Sequence, residues 1–183
     1  GCTALFFALA GLFSAVTDLV RQRRAEGDTS VILILGITAF LFLAKRFGAF
    51  FVNWVGGLPI LREVIFTKYE EAVIACRVAL LAGLGVARVC DKRATSGALW
   101  PAALIPLVIL TAGVAETHEA YLKATQGQDF YTFSFTAALI FLGLAAALAA
   151  VFSAGRLRRS YFVGSALALV LLEPLATYVI PLY

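Results

Sequence analysis

Residues 132–152 read TFSFTAALIFLGLAAALAAVF, and the chain then meets Arg156, Arg158 and Arg159. The stretch holds no charged residue. Coiled as an α-helix at about 1.5 Å per residue, it matches the roughly 30 Å thickness of a bilayer's hydrocarbon core. A helix at a soluble protein's surface carries a polar stripe toward water. Here the polar side chains are confined to Thr132, Ser134 and Thr136 at one end. The stretch predicts a transmembrane helix, and the arginines beyond it mark the return to water.

The same alternation of apolar run and charged boundary extends in both directions. The predicted spans are residues 3–20, 31–54, 70–89, 99–116, 132–152 and 161–180. Of the 183 residues, 62% are hydrophobic and 14% charged, against about 45–50% and about 25% in soluble domains. The expected fold is all-α: one polytopic integral membrane helical bundle of six transmembrane helices, a single domain over residues 1–183. The lipid bilayer is its first partner.

Span two is ambiguous in length. Val31 to Ala44 alone would reach only about 21 Å as a helix, so the reading is one long or tilted helix to Trp54 with Lys45 and Arg46 inside it. The alternative is a short span followed by an interfacial helix. Ile60 to Phe66 reads as a short amphipathic piece on the membrane surface. Span three opens at Glu70 and Glu71 and carries Arg77 inside. Its Ala75, Ala79, Gly83 and Ala87 recur every four residues, which predicts a central packing helix with that small stripe against a neighbour. Pro101 and Pro106 disturb span four, and Glu173-Pro174 disturbs span six. Trp54, Trp100, Tyr121, Tyr131, Tyr161 and Tyr178 fall near span ends, where amphipathic rings settle.

The basic residues alternate by loop. Arg21, Arg23 and Arg24 follow span one; Arg88, Lys92 and Arg93 follow span three; Arg156, Arg158 and Arg159 follow span five. The other side holds Arg62, Lys68 and Lys123 with most of the acids. The positive-inside rule then puts both termini on the non-cytoplasmic side. Asp18 reads as a helix end at the inner interface. Thr17–Ala44 and Thr117–Ala145 share a polar stretch, a Gly, an Asp and a Thr-Ala pair, as two inverted halves would; a small apolar alphabet produces such likeness by chance as well.

Charges of both signs fall at similar depth in the outer half: Lys45 and Arg46 in span two, Arg77 in span three, Glu116, His118 and Glu119 at the end of span four, and Glu173 in span six. A charge in hydrocarbon costs at least about 2.5–3.5 kcal/mol on insertion scales. The functional reading is an outward-facing pocket for an ion or small polar solute formed by Arg77, Glu173, Glu116, Glu119, His118 and Arg46, with Arg77 paired to Glu173 or to the Glu116/Glu119 face. The bland reading is a set of structural salt bridges with Lys and Arg snorkelling to the headgroups. It is preferred for Lys45, Arg46 and Glu119, stands level for Arg77, and is the weaker for Glu173, a short carboxylate before a helix-disturbing proline.

Much chemistry is disfavoured. Cys2, Cys76 and Cys90 form no CxxC, Cys76 and Cys90 read as small packing residues, and the single His cannot make a bis-histidine haem site. No P-loop, dinucleotide fingerprint or HExxH occurs, so neither cofactor nor metal is expected. Nucleic acid is not an expected partner, since the net charge of +4 reports orientation. Gly1-Cys2 and the absence of Met suggest a processed or trimmed start; a mature lipoprotein would begin at the Cys itself. Three functions compete. The first is a small transporter or channel. The second is a non-catalytic structural or accessory subunit, as a homo-oligomer or with other membrane subunits. The third is an intramembrane lipid-modifying enzyme using the Glu/His group as acid and base. An enzyme is the less favoured class.

Overall fold

The computed structural model describes residues 1–20, 27–46, 66–124 and 128–179; within these, the side chains of residues 27, 45–46, 66–71, 116–124, 128–132 and 178–179 are outside the description. The described residues form six helices: α1 Cys2–Val20, α2 Gly27–Arg46, α3 Phe66–Cys90, α4 Ser96–Ala124, α5 Gln128–Ser153 and α6 Arg159–Pro174, the last continued by a π-helical turn over Leu175–Val179. Among the described residues there is no strand. Five helices are long and apolar enough to cross a membrane, and α2 contributes a shorter apolar segment, Asp28–Ala44. The fold is the expected helical membrane bundle. The predicted continuation of span two to Trp54 and the surface piece from Ile60 lie outside the described residues. Span four, expected to end near residue 116, runs on as helix to Ala124.

The core sits on α1, which packs against every other helix. Its Phe6, Phe7, Ala8, Ala10, Gly11, Ser14 and Ala15 are all buried. Phe7 meets Phe162 of α6 edge-on at 6.1 Å, and Phe162 stacks on Phe152 of α5 at 4.4 Å. The three helices are thereby joined through aromatic rings in favoured arrangements. Outward surfaces are rich in exposed Leu, Ile, Val and Phe, as lipid-facing helices must be.

The expectation for α3 needs correction. It is the most extensive partner of α1, but α1 is the central helix. The small stripe does not make the contact: Ala75, Ala79, Gly83 and Ala87 are all exposed, and a Cβ on Gly83 would meet nothing within 4 Å. The buried face carries Leu81, Ala82, Gly85, Arg88 and Val89. There the backbones touch. A Cβ on Gly85 would lie 1.9 Å from the Phe7 carbonyl oxygen, and one on Gly11 would lie 2.9 Å from Gly85 Cα. Glycine is required at this crossing for close approach.

Helices α3 and α5 end in the same way. Arg93 N–H bonds to Arg88 C=O at 3.0 Å and Lys92 N–H to Val89 C=O at 3.1 Å; Arg156 N–H bonds to Val151 C=O at 3.2 Å and Gly155 N–H to Phe152 C=O at 2.9 Å. Each is the paired closure of a Schellman motif. Its left-handed residue is Lys92 (φ 54°) in one case and Gly155 (φ 74°) in the other. These turns lie at one end of the bundle, where Arg159 reaches Asp91 at 3.4 Å. This basic end also carries the exposed Trp100 and Tyr161.

The two α3 glycines should separate in a thermal-unfolding assay in detergent. Gly85→Ala overpacks the crossing and lowers stability by about 1–3 kcal/mol or more. Gly83→Ala leaves stability unchanged or raises it by about 0.5–1 kcal/mol. Equal effects would contradict the packing described.

Candidate functional site

Three groups of polar side chains interrupt the apolar interior. The first closes the basic end. Asp18 stands on the last turn of α1, Asp28 and Thr29 on the first turn of α2, and Arg88 on the last turn of α3. Arg88 is only 2% exposed. Its Nη1 donates to Asp18 Oδ2 at 2.8 Å and to Ser14 Oγ at 3.3 Å; its Nη2 donates to Asp28 Oδ2 at 3.3 Å and to Thr29 Oγ1. Ser14 Oγ donates onward to the Arg93 carbonyl at 3.2 Å, and Arg93 Nη1 lies 3.6 Å from Asp28 Oδ2. Two carboxylates and two hydroxyls thus engage both terminal nitrogens of one guanidinium. Asp28 also lies where a helix N-terminus favours negative charge.

Arg88 is therefore part of the interior, although its sequence position suggested a loop cation. Asp18 holds that cation as well as standing near the end of α1. The available sequence signal was the Ser14–Asp18 spacing, which puts both on one helix face with Asp28 just across the turn.

The second group lies at the opposite end. Glu173 is 2% exposed. Its carboxylate accepts the N–H of Thr3 at 2.9 Å and that of Cys2. The first turn of a helix leaves its N–H groups without internal partners, and a carboxylate there gains charge-assisted bonds and a favourable dipole. Pro174 has no N–H to extend the α-helical ladder. The loosened backbone is met by hydroxyls: Thr177 Oγ1 donates to Glu173 C=O at 2.8 Å, and Ser134 Oγ donates to Thr177 C=O at 3.1 Å. Glu173 thus joins α6 to the start of α1. The Thr3 hydroxyl oxygen beside it is buried with no partner among the described residues.

The third group is Arg77. Of the two partners expected for Arg77, Glu173 forms no ion pair with it and is instead held by the α1 backbone, and the Glu116/Glu119 face lies outside the described side chains. Arg77 instead lies against α2, its guanidinium carbon 4.3 Å from the Phe42 ring centroid. Such a cation–π contact contributes about 0.5–2 kcal/mol, less than the minimum of about 2.5–3.5 kcal/mol for a charge in hydrocarbon. Its Nη1 is buried and has no hydrogen-bond partner among the described residues. The side chains of Arg46, Glu116, His118 and Glu119 lie outside the description. The α4 backbone is helical through residues 116–119, so Glu116 and Glu119 share a face as expected.

Of the two cysteines read as packing residues, Cys90 is buried and Cys76 is exposed. Among the described residues no group of His, Cys, Asp and Glu is arranged to hold a metal ion. Comparison with known protein families, characterised proteins and solved structures yields no match.

The basic-end clamp and the Glu173 cap have measurable structural roles. Arg88→Leu leaves Asp18 without its cation, while Asp28 keeps Arg93 at 3.6 Å, and lowers stability by about 3 kcal/mol. Glu173→Gln turns an amide donor toward backbone N–H groups and costs about 1–3 kcal/mol. Thermal unfolding in detergent should rank wild type above Glu173→Gln and that above Arg88→Leu. Wild-type stability in Arg88→Leu would show that the clamp does not hold the bundle together.

Proposed function

We propose that this chain is a small multi-pass membrane transporter or channel for an ion or small polar solute, with its solute site around Arg77 in the outer half of the bundle. The observation that carries the reading is the contrast between the arginines of α3. Both terminal nitrogens of Arg88 are engaged by oxygens from two other helices, two of them carboxylates, and only its Nε is buried without a partner among the described residues. Arg77, roughly 16 Å away along the same axis, keeps a buried donor without an acceptor among the described residues. A permanent charge retained within a span is a functional-site hypothesis by default. Arg46, Glu116, His118 and Glu119 remain candidates for the same half. Glu173, whose carboxylate accepts the Cys2 and Thr3 N–H groups, stands apart from Arg77 and lends this reading no direct support. In this reading both termini lie on the non-cytoplasmic side.

A second reading, a non-catalytic subunit of a membrane assembly, is favoured by the exposed Ala75, Ala79, Gly83 and Ala87 on α3. Small residues exposed in register permit close approach of another helix. Purification in a mild detergent separates the readings. A monodisperse single chain supports the first, and a stoichiometric second polypeptide supports the other.

Orientation is tested by single cysteines at Arg23, Asp91 and Arg158 in a background lacking Cys2, Cys76 and Cys90. All three should be labelled by a membrane-impermeant thiol reagent only after the cytoplasmic face is opened. Labelling of any of them in intact cells would reverse the topology. For transport, the purified chain in liposomes should support flux of a solute from a panel of inorganic ions, carboxylates and amines. Arg77→Gln should lower that flux at least tenfold with unfolding temperature retained; flux indifferent to Arg77→Gln removes Arg77 from the site.

A further inference from the structure

The geometry points to an oxyanion, a carboxylate or a phosphate group, as the ligand of Arg77 between α2 and α3. The inference rests on the reading of Arg77 as the solute-binding residue and supplies the chemical class that reading leaves open.

A guanidinium stays protonated in any protein environment, so Arg77 cannot escape its charge as a lysine or carboxylate can. Its planar fork has two kinds of surface. The faces accept stacking by an aromatic ring, and the edges carry the N–H donors in the plane. The Phe42 ring lies against the guanidinium, its centroid 4.3 Å from the guanidinium carbon. A ring there supplies no acceptor to the in-plane donors. Nη1 is one of those donors, buried and without a partner among the described residues. Glu173 is committed to the α1 backbone.

What completes such a group is an acceptor with negative charge. Carboxylate and phosphate oxygens match the in-plane fork and can take two parallel N–H bonds. A cation is repelled, and a neutral hydroxyl satisfies the donor but leaves the charge. Arg88 on the same helix shows the complement a buried guanidinium takes here, carboxylate and hydroxyl oxygens on its terminal nitrogens. The oxyanion can arrive as a free solute or as the phosphodiester of a lipid whose headgroup reaches the outer part of α3.

The test uses the full chain in non-ionic detergent and in nanodiscs of phosphatidylcholine, alone or mixed in equal parts with phosphatidylglycerol. The unfolding temperature is read with sodium phosphate, sodium acetate or sodium chloride at matched ionic strength. The expected result is a rise with phosphate or acetate over chloride that vanishes in Arg77→Gln. Arg77→Lys keeps the charge without the planar fork, so it should fold as Arg77→Gln does and bind about tenfold more weakly than wild type. A rise only with phosphatidylglycerol, again lost on substitution, upholds the oxyanion and assigns it to lipid, which overturns the transport reading instead. Cation flux through liposomes that Arg77→Gln abolishes, with no anion-dependent rise, keeps the transport reading and overturns the oxyanion. No anion or lipid effect, or one that Arg77→Gln and Arg77→Lys retain, also overturns it.

Discussion

A guanidinium cannot discard its proton, so burying Arg88 obliges the chain to bring oxygens to it. Those oxygens come from both sides of the first connection, Ser14 and Asp18 on α1 and Asp28 and Thr29 on α2. The end of α3 must therefore dock against the end of α1 and the beginning of α2. This also sets the rotation of α3 about its own axis. With Arg88 turned inward, helical spacing brings Gly85, Leu81 and Val78 to the same side. Gly85 and Leu81 are buried, and Gly85 meets the Phe7 backbone. Turning α3 so that Ala75, Ala79, Gly83 and Ala87 faced α1 would swing Arg88 toward lipid and push Leu81 out of the core.

That rotation explains which features were legible in the sequence. Span positions follow from hydropathy and length, and the helices enclose the predicted apolar runs to within a few residues wherever both ends are described. A helix's facing does not follow from apolar pattern, because lipid and protein interior are both apolar and either face of α3 satisfies both. The stripe of small residues looked decisive only because Gly85 stands outside its four-residue register. The facing is set by one charge, and that charge looked like a loop residue because it lies two residues from the helix end. Counting Arg88 as a loop cation did not spoil the alternation of basic clusters, since Lys92 and Arg93 remain in the same turn.

The opposite end obeys the same constraint with the sign reversed. In a bilayer, backbone donors at a helix start find no water unless they reach the interface. Glu173 holds the N–H groups of Cys2 and Thr3 and bridges α6 to α1 in doing so. Read along the sequence, Glu173 invites pairing with the nearest intramembrane cation. In space, the competitor is the backbone itself. The charge at a helix end is only partial and invisible to a count of Asp, Glu, Lys and Arg, which is why the sequence suggested the wrong partner.

The consequence falls on Arg77. The Glu173 carboxylate sits at the start of α1 and Arg77 against Phe42 of α2, so no ion pair between them ties α3 to α6. Because the α1 backbone takes the carboxylate, Arg77 retains its full charge and meets an aromatic face that lowers the cost without supplying an acceptor. Among the described residues no acceptor has been spent on Arg77 Nη1, whereas a ligand at Arg88 would first have to displace two carboxylates. A solute that competes with an existing salt bridge gains only the difference between two interactions; one that supplies a missing acceptor gains nearly the whole of it. On the proposed function, the same physics that makes the basic end structural makes the neighbourhood of Arg77 the place where an external group has most to contribute.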